Sequence, residues 1–101
     1  MIIHQREVQY SHDYEEFFKV LIEAKEHLEK KFPEVSVEIM YNLAGSRGWA
    51  TIQTRYPGLA DYERIDAEMD KDEEYCKLLE SIMGAEGEPP VDQFFRVIQS
   101  D

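Results

Sequence analysis

The sequence is poor in what most recognisable chemistry needs. It has one cysteine, Cys76, in 101 residues, which excludes an internal disulfide, a CxxC redox pair and a thiolate zinc cluster. Its three histidines, His4, His12 and His27, form neither an HxH nor an HxxxH pair, so no metal site is expected. No apolar run approaches the ~20 residues needed to cross a bilayer, and residues 1–6 turn polar too soon for a signal peptide. No Gly-rich phosphate loop, GxSxG elbow or HExxH motif occurs. Bases are scarce as well: 11 Lys and Arg stand against 22 Asp and Glu, a net charge of −11. That acid excess argues against binding nucleic acid through its phosphates. The expectation is one domain over 1–101, acidic, in a reducing cytoplasm, with no nucleic-acid or membrane partner and a core kept thin by the short chain.

What the chain does have is clear periodicity. Residues 1–10 read as a strand, with Ile2, Val8 and Tyr10 on one parity and Ile3 on the other. Asp13 with Glu16 three residues on makes a capping-box pattern. Tyr14, Phe17, Phe18, Leu21, Ile22, Leu28 and Phe32 then trace one helical stripe over 14–32, ended by Pro33. From 35 to 43 the period changes to two, and 49–56 repeats it after the turn Ala44-Gly45-Ser46-Arg47-Gly48. Residues 59–83 are helical in period, but the polar stretch Asp70-Lys71-Asp72-Glu73-Glu74 marks a kink or a restart capped by Asp72. Gly84 suits the end of that segment, and 91–99 reads as a last strand. His27, among Glu23, Glu26 and Lys30, is expected to face solvent.

The order β-α-β-β-α-β defines a ferredoxin-like α+β fold, a four-stranded antiparallel sheet of order 4-1-3-2 with both helices on one face. Pairing residue 42 with 49 puts Asn42/Trp49, Met40/Thr51, Glu38/Gln53 and Ser36/Arg55 on one face, and Leu43/Gly48, Tyr41/Ala50, Ile39/Ile52 and Val37/Thr54 on the other. Phe94 and Phe95, like Ile2 and Ile3, point opposite ways. Every strand thus carries large apolar groups on both parities, whereas an open one-sided sheet would segregate them. The chain has nothing left to cover the second face, so a second copy, related by a two-fold axis, is expected to do so. Two facing sheets would enclose a dimeric α/β barrel with a semi-polar lumen.

The runs Tyr56-Pro57-Gly58-Leu59-Ala60-Asp61-Tyr62-Glu63 and Asp72-Glu73-Glu74-Tyr75, with the size and order of the elements, give the chain a resemblance to the dimeric α/β-barrel superfamily, in particular the small proteins grouped with antibiotic-biosynthesis monooxygenases and NIPSNAP-type proteins. The resemblance spans nearly the whole chain. It implies a homodimer and, for some members, cofactor-free oxygenation of aromatic polyketides, haem degradation or isomerisation. Haem-degrading members use an Asn in the first strand and a His on the second helix. Neither is present here, and no cofactor is expected.

The candidate chemistry follows. Cofactor-free oxygenases of that superfamily use Asn, Trp and Tyr around an aromatic substrate. The resemblance thus implies a cofactor-independent monooxygenase or isomerase for an aromatic, polyketide-like molecule in which Tyr41, Asn42 and Trp49 hold the ring; Gln53 would join them, and His4, Glu38 or Arg55 would move protons. The alternative is a non-catalytic homodimeric module for a small hydrophobic ligand or a protein partner, in which Trp49 plugs the interface and Glu38, Gln53 and Arg55 form a polar network there. Cys76, on an apolar stripe, reads as a small core residue. RNA-recognition domains share the element order but need a basic, aromatic sheet, which Glu38 and the net charge oppose.

Overall fold

Period-two residues and two helical stripes build seven elements in the computed structural model, which describes residues 1–10, 14–43, 48–82 and 89–98. In chain order they are β1 (Ile2–Gln9), α1 (Tyr14–Lys31), β2 (Ser36–Tyr41), β3 (Trp49–Tyr56), α2 (Leu59–Met69), α3 (Glu73–Ile82) and β4 (Val91–Arg96). The sheet runs β2-β3-β1-β4, all neighbours antiparallel, the order expected for a ferredoxin-like chain. The last strand ends at Arg96, short of the expected 99. Asp13, His12 and Gly84 lie outside the described residues.

Alternation along each strand sorts the sheet into two faces. Ile2, Val8, Val37, Ala50 and Tyr56 are buried under the helices. Val37 and Tyr56 belong to one cluster, with Leu28, Phe32, Ile65 and Met69, and Val8 and Ala50 to another, with Phe17 and Leu21. Glu29 ties α1 to the sheet edge by accepting the Val37 N–H at 2.8 Å while it holds Lys25 at 2.6 Å. The Cα trace measures 38 × 32 × 19 Å, and the short dimension leaves room for one sheet and one helical layer.

None of the described residues forms a layer over the opposite face. The hairpin register is the expected one: Ser36 opposes Arg55, Glu38 opposes Gln53, Met40 opposes Thr51, and the Asn42 N–H donates to the Trp49 carbonyl at 3.1 Å. β1 adds Ile3, Gln5 and Glu7 to this face, and β4 adds Phe95, Gln93 and Val91. A line of amides crosses its middle. Gln53 Nε2 donates to Gln5 Oε1 at 2.8 Å, and Gln5 Nε2 to Gln93 Oε1 at 3.4 Å. Edge strand β4 is exposed along its whole length, with Phe94 at 52% and Phe95 at 45%.

The second helical segment restarts rather than kinks. α2 stops at Met69, and the Asp72 carboxylate caps α3 by accepting the Tyr75 N–H at 3.0 Å. The same carboxylate accepts from His27 Nε2 at 2.7 Å and Lys31 Nζ at 3.1 Å. This corrects the solvent-facing expectation for His27. The helical stripe alone could not place His27, because its partner enters only at the break between α2 and α3. His27 ties α1 to that break and lies against the Tyr75 ring, with centroids 6.2 Å apart.

The hydrogen bond from His27, with those from the Tyr75 amide and Lys31, holds the Asp72 carboxyl well below the usual carboxylate range. A carboxylate with a depressed folded pKa stabilises the fold above its unfolded value of about 4 and loses that contribution as pH falls through the folded value. Stability is therefore expected to begin falling near pH 4 and to keep falling below it, less steeply in Asp72→Asn. At pH 7, Asp72→Ala, which removes the cap and the acceptor shared by His27 and Lys31, should lower the thermal midpoint by several degrees, and by more than Asp72→Asn. Thermal melts of the three proteins across pH check this, and an Asn variant that melts below the Ala variant would refute the clasp.

Candidate functional site

Strand parity puts His4 and Arg6 of β1 on the helix-facing side, opposite Phe94 and Asp92 of β4. Asp92 therefore turns inward beside the Arg6 guanidinium and the His4 imidazole. Its Oδ1 accepts from Arg6 Nε at 2.6 Å and from His4 Nε2 at 2.9 Å, and its Oδ2 from Arg6 Nη2 at 3.0 Å. Arg6 is the main cause, with His4 adding to it, that holds Asp92 below the usual carboxylate range, and Asp92 in turn raises Arg6. An ionised carboxylate only accepts, so His4 carries its proton on Nε2, and Nδ1 of the neutral ring is left as an acceptor. The imidazole is fixed in place. It stacks on Phe94 with centroids 4.5 Å apart and meets Tyr62 edge-on at 6.2 Å.

Behind this cluster lies a cavity of about 220 Å³ between the helical layer and the sheet. Its walls are apolar at Leu28, Val37, Ile52 and Ile65 and polar at His4, Arg6, Thr54, Tyr56 and Tyr75. An apolar cavity of about 150 Å³ takes a benzene ring, so this one has room for a substituted ring or a small bicyclic molecule. Tyr56 is 7% exposed, and its hydroxyl hydrogen-bonds to no described residue. No sealed side-chain oxygen or nitrogen among the described residues lacks a partner, so that hydroxyl opens onto the cavity. Burial pushes the Tyr56, Tyr75 and Tyr62 phenols up, with Asp66 adding to each. They stay protonated and able to donate.

The residues singled out in the sequence divide between two places. Glu38, Gln53, Arg55, Asn42 and Trp49 share the uncovered face. There Arg55 Nη1 donates to Glu38 Oε1 at 2.5 Å, and Thr51 Oγ1 to Asn42 Oδ1 at 3.1 Å. His4 lies on the other side of the sheet, at the cavity. Tyr41 is also on that side, but 61% exposed and near Phe18. The structure thus brings His4 together with Arg6, Asp92, Tyr56, Tyr62 and Tyr75, which sequence reasoning missed. The shared parity of His4 and Arg6 was the available signal; the pairing of β1 with β4 was not. Half-buried Cys76 points its thiol at the Met69 carbonyl, 3.5 Å away. No group of three or more His, Cys, Asp or Glu among the described residues is placed to hold a metal ion, and no described helix is long and apolar enough to cross a membrane.

These features define a ferredoxin-like α+β protein with one uncovered sheet face and a cavity under its helices. Solved structures share that fold. A NIPSNAP domain protein from Burkholderia xenovorans superposes with a TM-score of 0.75 over all of both chains at 9% identity. A dimeric ferredoxin-like protein from an uncultured marine organism gives 0.75 at 13% identity, over 100% of this chain and 98% of its own. A candidate antibiotic biosynthesis monooxygenase from Nitrosomonas europaea gives 0.72 at 14%, over 98% of this chain and all of its own. These neighbours carry the group names to which the Tyr56–Glu63 and Asp72–Tyr75 runs pointed, and at such identities what they share with this chain is the fold. No protein-family model matches the chain, and no curated protein does.

Proposed function

We propose that the protein is a homodimer, joined through its uncovered sheet face, that takes a small aromatic molecule into the cavity beneath its helices and moves a proton there with His4, as a cofactor-independent monooxygenase or isomerase would. The observation that carries this reading is the 220 Å³ cavity with His4 in its wall. His4 Nδ1 would accept a proton from an acidic O–H or C–H of the bound ring. The Tyr56 and Tyr75 hydroxyls would hold the resulting oxyanion. That anion either adds dioxygen at its carbon, giving after protonation a hydroperoxide that loses water to leave a new carbonyl, or is reprotonated at another carbon. Glu38, Arg55, Gln53, Asn42 and Trp49 would line the interface, where two facing sheets bury them. The dimeric neighbour supports self-association, and the candidate monooxygenase supports the oxygenase reading, each as an analogy of fold.

One observation favours the non-catalytic alternative. Arg6 neutralises the Asp92 carboxylate from two directions, which weakens its pull on a His4 proton. The test uses 1-naphthol and 1,4-dihydroxynaphthalene with oxygen uptake, product mass and thermal shift read together. A catalyst consumes oxygen or converts ligand, and His4→Gln loses turnover by about 100-fold while keeping the thermal shift. Stabilisation with no turnover assigns the binding module. Ala24→Phe fills the cavity from α1 and should abolish both signals, and a shift that survives it places the ligand elsewhere.

A further inference from the structure

The charges around the cavity do not balance. Arg6 is neutralised by Asp92 and Lys25 by Glu29. Asp66 and Asp70, four residues apart at the C-terminal end of α2, also line the cavity, and neither carboxylate makes an ion pair or side-chain hydrogen bond with a described residue. Both are exposed, which puts them at its mouth. Close by are the Tyr56 hydroxyl, which bonds to no described residue and opens onto the cavity, and the rings of Tyr56 and Tyr62, packed edge-to-face at 5.2 Å. Carboxylates beside aromatic rings over an apolar floor are the chemistry that recognises an organic cation.

We propose that the cavity takes a small arylalkylamine, its ring against Val37, Ile52 and Ile65 and its ammonium at Asp66 and Asp70 beside Tyr56. This rests on the reading that the cavity is a ligand site, and it needs neither catalysis nor dimerisation. A carboxylate on the same ring would meet two unpaired acids instead. The chain's net charge of −11 draws cations toward the mouth from a distance. Asp66 also adds to the upward push on the Tyr56 and Tyr75 phenols, both in the cavity wall.

Calorimetric titration of the full chain with tryptamine, indole-3-propionate and neutral 3-ethylindole tests the assignment, because the three share a ring and differ in charge. Tryptamine is expected to bind about tenfold more tightly than either at low salt, and to lose about fivefold on moving to high salt. The exposed double substitution Asp66→Asn, Asp70→Asn should erase the preference while 3-ethylindole binding stays within about twofold. Equal affinity for all three overturns the amine assignment and leaves the cavity reading intact. A tryptamine preference that survives the double substitution, or Ala24→Phe, places the amine on the acidic surface and overturns it too. Binding of none of the three, with 1-naphthol also silent, removes the cavity reading and this one with it.

Discussion

Phe32→Ala is expected to destabilise the protein by about 4 kcal/mol and to lower its thermal midpoint by roughly 20 °C. Phe32 closes α1 at the point where the chain turns into β2, with its N–H on the Leu28 carbonyl and its own carbonyl accepting the Val35 N–H. Its ring, 6% exposed, packs in the cluster with Leu28, Val35, Val37, Tyr56, Ile65 and Met69. The Arg64 guanidinium lies 5.9 Å from the ring centroid. Truncation removes the apolar surface of a whole aromatic ring and leaves a hole that rigid neighbours fill poorly. Arg64 is itself half exposed, so the cation contact adds only about 0.5 kcal/mol, and Phe32→Leu should recover more than half of the loss. Urea unfolding followed by circular dichroism, at one fixed protein concentration, reads both. A loss below about 1 kcal/mol would mean that this cluster is not the centre of the core.

The second large effect concerns assembly. Ile3 and Phe95 are directly opposed on the uncovered face, and Phe95 is 45% exposed there. In a homodimer joined by that face they become buried. Ile3→Glu with Phe95→Glu would then place four new carboxylates in one interface. Association should weaken by at least about 100-fold, while the isolated fold, which keeps these positions partly wet, retains its circular dichroism. Sedimentation at micromolar concentration distinguishes the outcomes. The parent should run as a dimer and the variant as a monomer. A monomeric parent contradicts the homodimer, and a dimeric variant moves the contact to another surface.

The hairpin register was legible because two period-two runs flank a short turn, and only one pairing sets Asn42 against Trp49 with both apolar sets facing inward. The restart at Asp72 was legible as one of two options. What decided between them is a side chain that caps α3 while holding His27, whose position depends on how α1 packs on α3. The cavity was harder to read. His4 and Asp92 are 88 positions apart, and nothing local in β4 says that Asp92 rather than Gln93 turns inward; that follows only from its pairing with β1. The candidate trio Tyr41, Asn42 and Trp49 mixed two faces for a related reason. Consecutive residues of a strand point to opposite sides, so Tyr41 and Asn42, adjacent in sequence, cannot grip the same ring.

The amides crossing the uncovered face all point one way: Gln53 donates to Gln5, and Gln5 donates to Gln93. The row is thus a small vector. It starts beside the Glu38 carboxylate, which can only accept, and ends at the Gln93 amide, which has N–H groups to give. Laid against its own image by a rotation that reverses it, such a row brings its giving end to the other's receiving end at two places at once. Laid without reversal, it sets like against like. In the proposed homodimer, three ordinary glutamines would therefore favour one way round for the two sheets to lie.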